Sequence, residues 1–366
     1  MRTKKVISLM VALVFVFSMS FAACTSGGSG SAPADTPSTA PTETAPAAPE
    51  PTENTGEVYT VRIGCATVLP SHPNQFMEEL KASLESKSDQ FVVELYPANQ
   101  LGTNPEMIQG LQNGNVQGVV LPSGLFTSIA PIFNLLAVPG LVPGATVQYE
   151  MLNNSDVGVE LSAEVSKSGV TPVAYLWCPS QEFYLNKDVT EMAGLKGLNI
   201  RGTDAKVMQD QLTAYGATPV VMSSGDVAMG LQQGTLDGLF TDCTFVAPLK
   251  LYEKAPHIIS ELPGVPNSNT VMISNLFLDS LPDDLKAIFL ESVKECRESV
   301  KTYTEGYAQD CYDLIVENGG TIHQPSEAFI KELRDKDLGT QETFKKDNPD
   351  WADLYAKIES WVAANA

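Results

Sequence analysis

Few residues in this chain have types and spacing suited to chemistry. The three histidines, His72, His257 and His323, stand far apart, and none falls in an H-E-x-x-H or other paired-ligand pattern. No C-x-x-C, no G-x-S-x-G and no Walker loop occurs. Acid pairs such as Asp283-Asp284 sit at a helix start, where they complement the dipole. No catalytic residue, metal ligand set or cofactor is therefore expected, and an enzyme is the disfavoured class. Anion recognition remains. Arg201 ends the short apolar run Leu198-Asn199-Ile200 and precedes Gly202-Thr203-Asp204, a turn and N-cap that open a helix from about Ala205 to Tyr215. Open α/β sheets gather their ligand-binding groups at such strand ends. A guanidinium there offers a planar fork of donors matched to a carboxylate. The alternative for Arg201 is a surface ion pair.

The elements around Arg201 form one compact unit. After the helix come Gly216-Ala217-Thr218-Pro219-Val220-Val221 as a second strand and Ser223-Ser224-Gly225-Asp226 as a helix start. Gln232-Gln233-Gly234-Thr235 makes a turn, and Leu236 to Thr241 is the next strand. Strand, helix, strand, helix, strand in this span is an α/β unit.

The order L-K-G-L-N-I-R, A-Y-G-A-T-P, A-M-G-L-Q-Q-G-T-L-D-G and then Lys250-Leu251-Tyr252-Glu253 resembles the substrate-binding proteins of TRAP transporters, of the C4-dicarboxylate-binding type. That resemblance implies an α/β, two-domain periplasmic-binding-protein-like fold, with a cleft between the lobes and a long helix spanning both. It implies capture of a small organic acid and delivery to TRAP membrane permease subunits. An ABC-type solute-binding protein and a ligand-sensing lipoprotein are the neighbouring readings, and the order of motifs favours the TRAP type. By the same resemblance His72 and Asn74 border the ligand, as does Ser123 in Pro122-Ser123-Gly124; the alternatives are an exposed loop histidine and an ordinary turn serine.

The chain also departs from the family pattern. Counting back from Asn186-Lys187, the place of a customary second arginine is taken by Gln181, beside Glu182. Ser224-Gly225-Asp226-Val227-Ala228 replaces an aromatic-bearing segment, and Leu239-Phe240-Thr241-Asp242 replaces a Q-E-N-P segment. A roomier and less cationic pocket around Ser224, Thr241 and Asp242 should prefer a bulkier monoacid, or an acid whose cation Glu182 or Asp242 meets, over a small dicarboxylate.

The formal charge of -21 argues against nucleic acid as a partner. Residues 1–23 read as a secretory signal: Arg2, Lys4 and Lys5, then the apolar run Val6 to Phe17, then Ala22-Ala23. Cys24 stands where a lipoprotein cysteine stands, with plain cleavage as the alternative. Lipidation there would make the anchor the chain's link to the membrane, and place an exported, extracytoplasmic and monomeric protein at the cell surface. From Cys24 to residue 57 the composition is Ser, Gly, Pro, Thr, Ala and Glu, a tether that cannot bury enough surface to fold. The other five cysteines read as buried small hydrophobes, with a bridge among Cys65, Cys178 and Cys243 as the lesser alternative. Cys296 and Cys311 lie about 22 Å apart along one helix.

Domain I is expected over 58–178 plus 268–306, domain II over 179–267, and C-terminal helices packing across both over 307–366. Strands are expected at Val58–Thr67, Phe91–Tyr96, Val116–Leu121, Thr171–Cys178 and Val271–Phe277. Helices are expected at Asn74–Ser86, Glu106–Asn113 and Ala145–Ser168. A helix from Pro282 to Asn318 would be roughly 55 Å long, longer than one domain is wide. Its apolar positions include Leu285, Phe289, Val293, Val300, Tyr307 and Leu314, and it must back both domains.

Overall fold

The computed structural model describes residues 56–203 and 205–366. The secretory signal, Cys24 and the tether lie outside the described residues, as does Asp204.

The first lobe begins with β1 (Tyr59–Cys65), α1 (His72–Lys87), β2 (Phe91–Tyr96), α2 (Asn104–Gln112) and β3 (Gly118–Pro122). Short 3-10 turns over Ser123–Ser128 and Pro131–Ala137 lead to α3 (Ala145–Asn154), α4 (Asp156–Ser166) and β4 (Val170–Cys178). The second lobe runs through β5 (Glu182–Leu185), β6 (Asn199–Gly202), α5 (Lys206–Ala214), β7 (Thr218–Val221) and α6 (Val227–Gln233). It continues with β8 (Gly238–Thr241), α7 (Cys243–Val246) and β9 (His257–Ile259). The chain then returns through β10 (Asn267–Ser274) and α8 (Asn275–Ser280) to α9 (Asp283–Glu317), and ends in β11 (Thr321–His323), α10 (Glu327–Asp347) and α11 (Ala352–Asn365).

Local chemistry explains many of these limits. Ser71 caps α1, with Pro73 in its first turn. At α2 the Glu106 carboxylate accepts from the Thr103 backbone N–H at 2.7 Å and from its hydroxyl at 2.8 Å, one half of a capping box. Ser155 breaks the expected Ala145–Ser168 helix in two, because it caps α4 by accepting from the Val157 N–H. Helix α5 begins at Lys206 with Ala205 at the capping position, so the Gly202-Thr203-Asp204 cap read from the sequence falls short by a residue.

Two mixed sheets divide the strands, ordered β2-β1-β3-β10-β4 and β11-β9-β5-β8-β6-β7. In the first, β1 runs parallel to β2 and β3, while β10 is antiparallel to β3 and β4. In the second, β6 lies parallel to β7 and β8, and β5 is antiparallel to β8 and β9. Strand β10 starts four residues earlier than expected; in its polar beginning, Ser268, Asn269 and Thr270 are buried where the lobes join and Asn267 is half-buried.

Helix α9 spans both lobes, as its length required. Leu285, Phe289, Val293, Cys296 and Val300 pack in the core of the first lobe. Ala308, Cys311 and Ile315 pack in that of the second. Ile315 is fully buried, whereas Leu314, expected inside, faces outward: the i, i+4 step from Cys311 carries the inner face to 315. Helix α10 makes a second bridge, with Phe329 and Leu333 in the second lobe's core and Phe344 in the first lobe's. The sequence reading had no strand between α9 and α10; β11 is there, a three-residue edge strand parallel to β9. All five described cysteines are buried and unbridged.

Candidate functional site

Arg201 stands on β6, paired with Val220 of β7 and Leu239 of β8. Its Nε donates to the Met222 carbonyl at 3.3 Å, and its guanidinium lies 5.4 Å from the centre of the Phe245 ring. Phe245 belongs to α7, whose cap is Asp242, so the strand end of β8 and the short helix after it set the floor beneath Arg201. Just beyond Arg201 the lobes meet. A Cβ built on Gly124 of the first lobe would lie 3.5 Å from the Thr203 hydroxyl and 3.6 Å from the Ala205 methyl, and Val207 of α5 joins the first lobe's core.

The junction between the lobes is lined by buried polar groups in three linked sets. His72 Nε2 lies 2.6 Å from Asn269 Nδ2 and 3.2 Å from the Cys178 thiol. Ser123 Oγ lies 2.7 Å from Ser268 Oγ and 2.8 Å from Thr270 Oγ1. Asp242 accepts from the Thr244 N–H and hydroxyl, and its other oxygen accepts from Asn267 Nδ2 at 3.0 Å. Strand β10 thus contributes to every set.

The expected site residues fall as follows. His72 is not an exposed loop histidine; it is buried in the first turn of α1. Burial holds its imidazole down at about 4, and its Nδ1 is buried with no hydrogen-bond partner. Asn74 is buried beside it, but its amide is spent on the Thr67 carbonyl and the Ser71 hydroxyl, where it holds the turn that leads into α1. Ser123 is buried against β10 rather than exposed in an ordinary turn. Gln181 is buried in the crossing between lobes, its N–H donating to the Val265 carbonyl at 2.9 Å. Thr241 is buried on β8, opposite Glu182 on β5. Ser224 is half-exposed in the turn before α6, two residues past the carbonyl that Arg201 binds.

Both acids expected to meet a ligand's cation are already bonded within the protein. Glu182 accepts from the Tyr184 hydroxyl at 2.8 Å and the Tyr312 hydroxyl at 2.8 Å, the latter reaching over from α9. Burial pushes its carboxyl up to about 7, against the lowering effect of the two tyrosines and with a further push from nearby Asp242. Burial raises Asp242 as well. Residues absent from the sequence reading are Tyr184, Tyr312, Phe245 and the Asn267-to-Thr270 run. Only the last had a local signal, four polar residues directly ahead of an apolar strand.

These ionisations give the stability a pH dependence. The native Glu182 keeps its proton to about pH 7, whereas the unfolded residue loses it near 4.5, so stability falls as pH rises through that window. The full effect is about 3 kcal/mol. Asp337, buried between Tyr215 and Gln211 and pushed up to about 7, acts in the same direction. His72 acts oppositely, costing stability as pH falls from 6.5 to about 4. Urea unfolding between pH 5 and 8 should show Glu182→Gln making the decline shallower, with the raised Asp337 and Asp242 keeping the rest. An unchanged slope would mean that Glu182 is ionised throughout.

A model of a bacterial extracellular solute-binding protein family, family 7, matches residues 69–346. The chain belongs to this family. It is a two-lobed solute-binding protein of the TRAP transporter type, a receptor that hands its ligand to a TRAP-type permease from outside the cytoplasm; it is not an enzyme. Among its relatives is the 2,3-diketo-L-gulonate-binding periplasmic protein YiaO of Escherichia coli, 25% identical over 279 residues, 75% of this chain and 83% of that one. Solved TRAP solute-binding proteins share the fold. The Roseobacter denitrificans protein with bound β-D-glucuronate superposes with a TM-score of 0.77 at 16% identity, covering 82% of this chain and 99% of the other. The Shewanella oneidensis protein with bound succinate does so at 0.77 and 22%, covering 84% of this chain and all of the other, 100%.

Proposed function

We propose that this receptor captures a hydroxylated monocarboxylic acid, bulkier than a C4 dicarboxylate, between its lobes. The observation that carries the reading is the position of Arg201: a guanidinium at a strand end, laid over Phe245, two residues before Thr203, where Gly124 of the other lobe approaches Thr203 and Ala205. A carboxylate seated there pairs with the fork of Arg201 while the opposite lobe closes over it. Gln181 in place of a second cation leaves one charged anchor. The hydroxyl and amide groups of Ser123, Asn267, Ser268 and Asn269 supply partners for ligand hydroxyls from the first-lobe side, with Ser224 and Thr241 on the second. Glu182 and Asp242 hold the scaffold, and His72 and Asn74 orient the first-lobe wall. The ligands named for the Escherichia coli and Roseobacter relatives, a diketogulonate and a glucuronate, are acids of this kind.

In this reading domain I is 58–178 with 268–306 and domain II is 179–267, while 307–366 bind the two together. Cys24 carries the lipid, and the segment after it tethers a monomer outside the membrane.

Thermal-shift measurements over a panel of organic acids test the ligand class. Hexuronates or aldonates should give the largest stabilisation. If succinate or malate stabilises most, the pocket is a dicarboxylate site.

A further inference from the structure

Two of the three histidines, which the sequence places far apart, meet at the edge of the second lobe's sheet. Strand β11 lies parallel to β9 with Thr321 opposite His257, so His323, two residues on, shares the face of His257. Strand β5 flanks β9 on the other side with Leu185 opposite His257, and Asp188 follows just past its end. The outcome is a cluster. His323 Nε2 lies 3.4 Å from Asp188 Oδ1, the imidazole rings are 6.2 Å apart, and one ligand atom from each of the three residues lies within 4.8 Å of the others. The Thr321 hydroxyl sits between the rings, 3.0 Å from His257 Nδ1 and 3.2 Å from His323 Nε2.

We propose that Asp188, His257 and His323 form a binding site for a divalent transition metal ion, with zinc the best-matched class. Two imidazoles and a carboxylate suit zinc and its neighbours, whereas magnesium and calcium call for oxygen-rich sets. Bonds of about 2.0–2.2 Å arranged tetrahedrally put ligand atoms roughly 3.3 Å apart. The Asp188–His323 pair already has that spacing, and side-chain rotations that close the remaining separations by up to about 1.5 Å bring in His257. The two histidines are half-buried and Asp188 is exposed, which leaves the fourth position to water. The ligands come from three separate segments. A bound ion therefore ties β11, the short edge strand that follows the long helix, to β9 and to the loop after β5. The site is distinct from the carboxylate site, since β5 and β8 separate β9 from the strand that carries Arg201.

The test uses untagged protein freed of metal with a chelator. Cobalt(II), a visible-absorbing probe, should bind at one equivalent with a ligand-field band that zinc(II) displaces, and zinc should raise the melting temperature. Asp188→Ala and His323→Gln should each weaken zinc binding by roughly tenfold or more in calorimetry. Cys296→Ser, altering a thiol elsewhere, should leave it unchanged. Asp188 is exposed, so its variant remains informative even if a histidine variant fails to fold. Absence of saturable one-equivalent binding overturns the proposal, as does zinc affinity that survives Asp188→Ala.

Discussion

Arg201→Ala is expected to lose acid binding by about 2 to 5 kcal/mol, roughly 30-fold to several thousand-fold in Kd. The magnitude follows from the setting: one charge-assisted pair in a closing cleft, with no second arginine at Gln181 to take over. Arg201→Lys should recover only part of the loss, because an ammonium keeps the charge and gives up the planar fork. Folding should change little, since Arg201 is only partly buried; its contacts within the protein include the Met222 carbonyl and the Phe245 ring face. Calorimetry with the natural acid, recovered from denatured protein and identified by mass spectrometry, checks this. Affinity retained within a few-fold would remove Arg201 from the site.

The second large effect is expected at Gly264, where the backbone returning from the second lobe crosses the first. Gly140 N–H donates to the Gly264 carbonyl at 2.7 Å, and Gly264 N–H reaches the Pro143 carbonyl at 3.3 Å. Gly264 has φ +71°, and a Cβ there would sit 2.6 Å from Gly140 Cα and 2.9 Å from its nitrogen. Alanine meets two penalties at once. The left-handed backbone costs about 1–2 kcal/mol, and the clash is with backbone that no side-chain rotation relieves. Gly264→Ala should therefore lose about 3 kcal/mol and several degrees of melting temperature. Gly306→Ala, on an exposed turn of α9 with open space around it, should instead gain about 0.5–1 kcal/mol. Scanning calorimetry of the two variants separates the cases; equal melting temperatures would mean that the crossing yields easily.

Much of the architecture was legible because its signals are local. The apolar period from Pro282 to Asn318 gave a helix too long for one lobe, and the Gly and Ser punctuation around Arg201 gave the succession of strands and helices along its unit. The place of Arg201 near a strand end was read from the apolar run before it and the turn after it. His72 was harder to read. Next to proline it looks like a loop residue, and what buries it lies 106 residues away at Cys178 and 197 residues away at Asn269. Glu182 shows the same limit. Its sequence neighbours suggest an acid ready for a ligand's cation, whereas its second tyrosine comes from α9, 130 residues on.

The sequence by itself determined the family, the helix that backs both lobes and the single arginine at a strand end. Each is written in residues adjacent along the chain or one helical turn apart, where spacing alone sets which side chains share a face. The tertiary structure decided which polar groups spend their hydrogen bonds on the scaffold, which strand runs along the lobe junction, and that His257 and His323 meet beside Asp188. Those depend on sheet register across long loops. Register is set by how whole faces pack, and a three-residue edge strand leaves almost no trace of it in sequence.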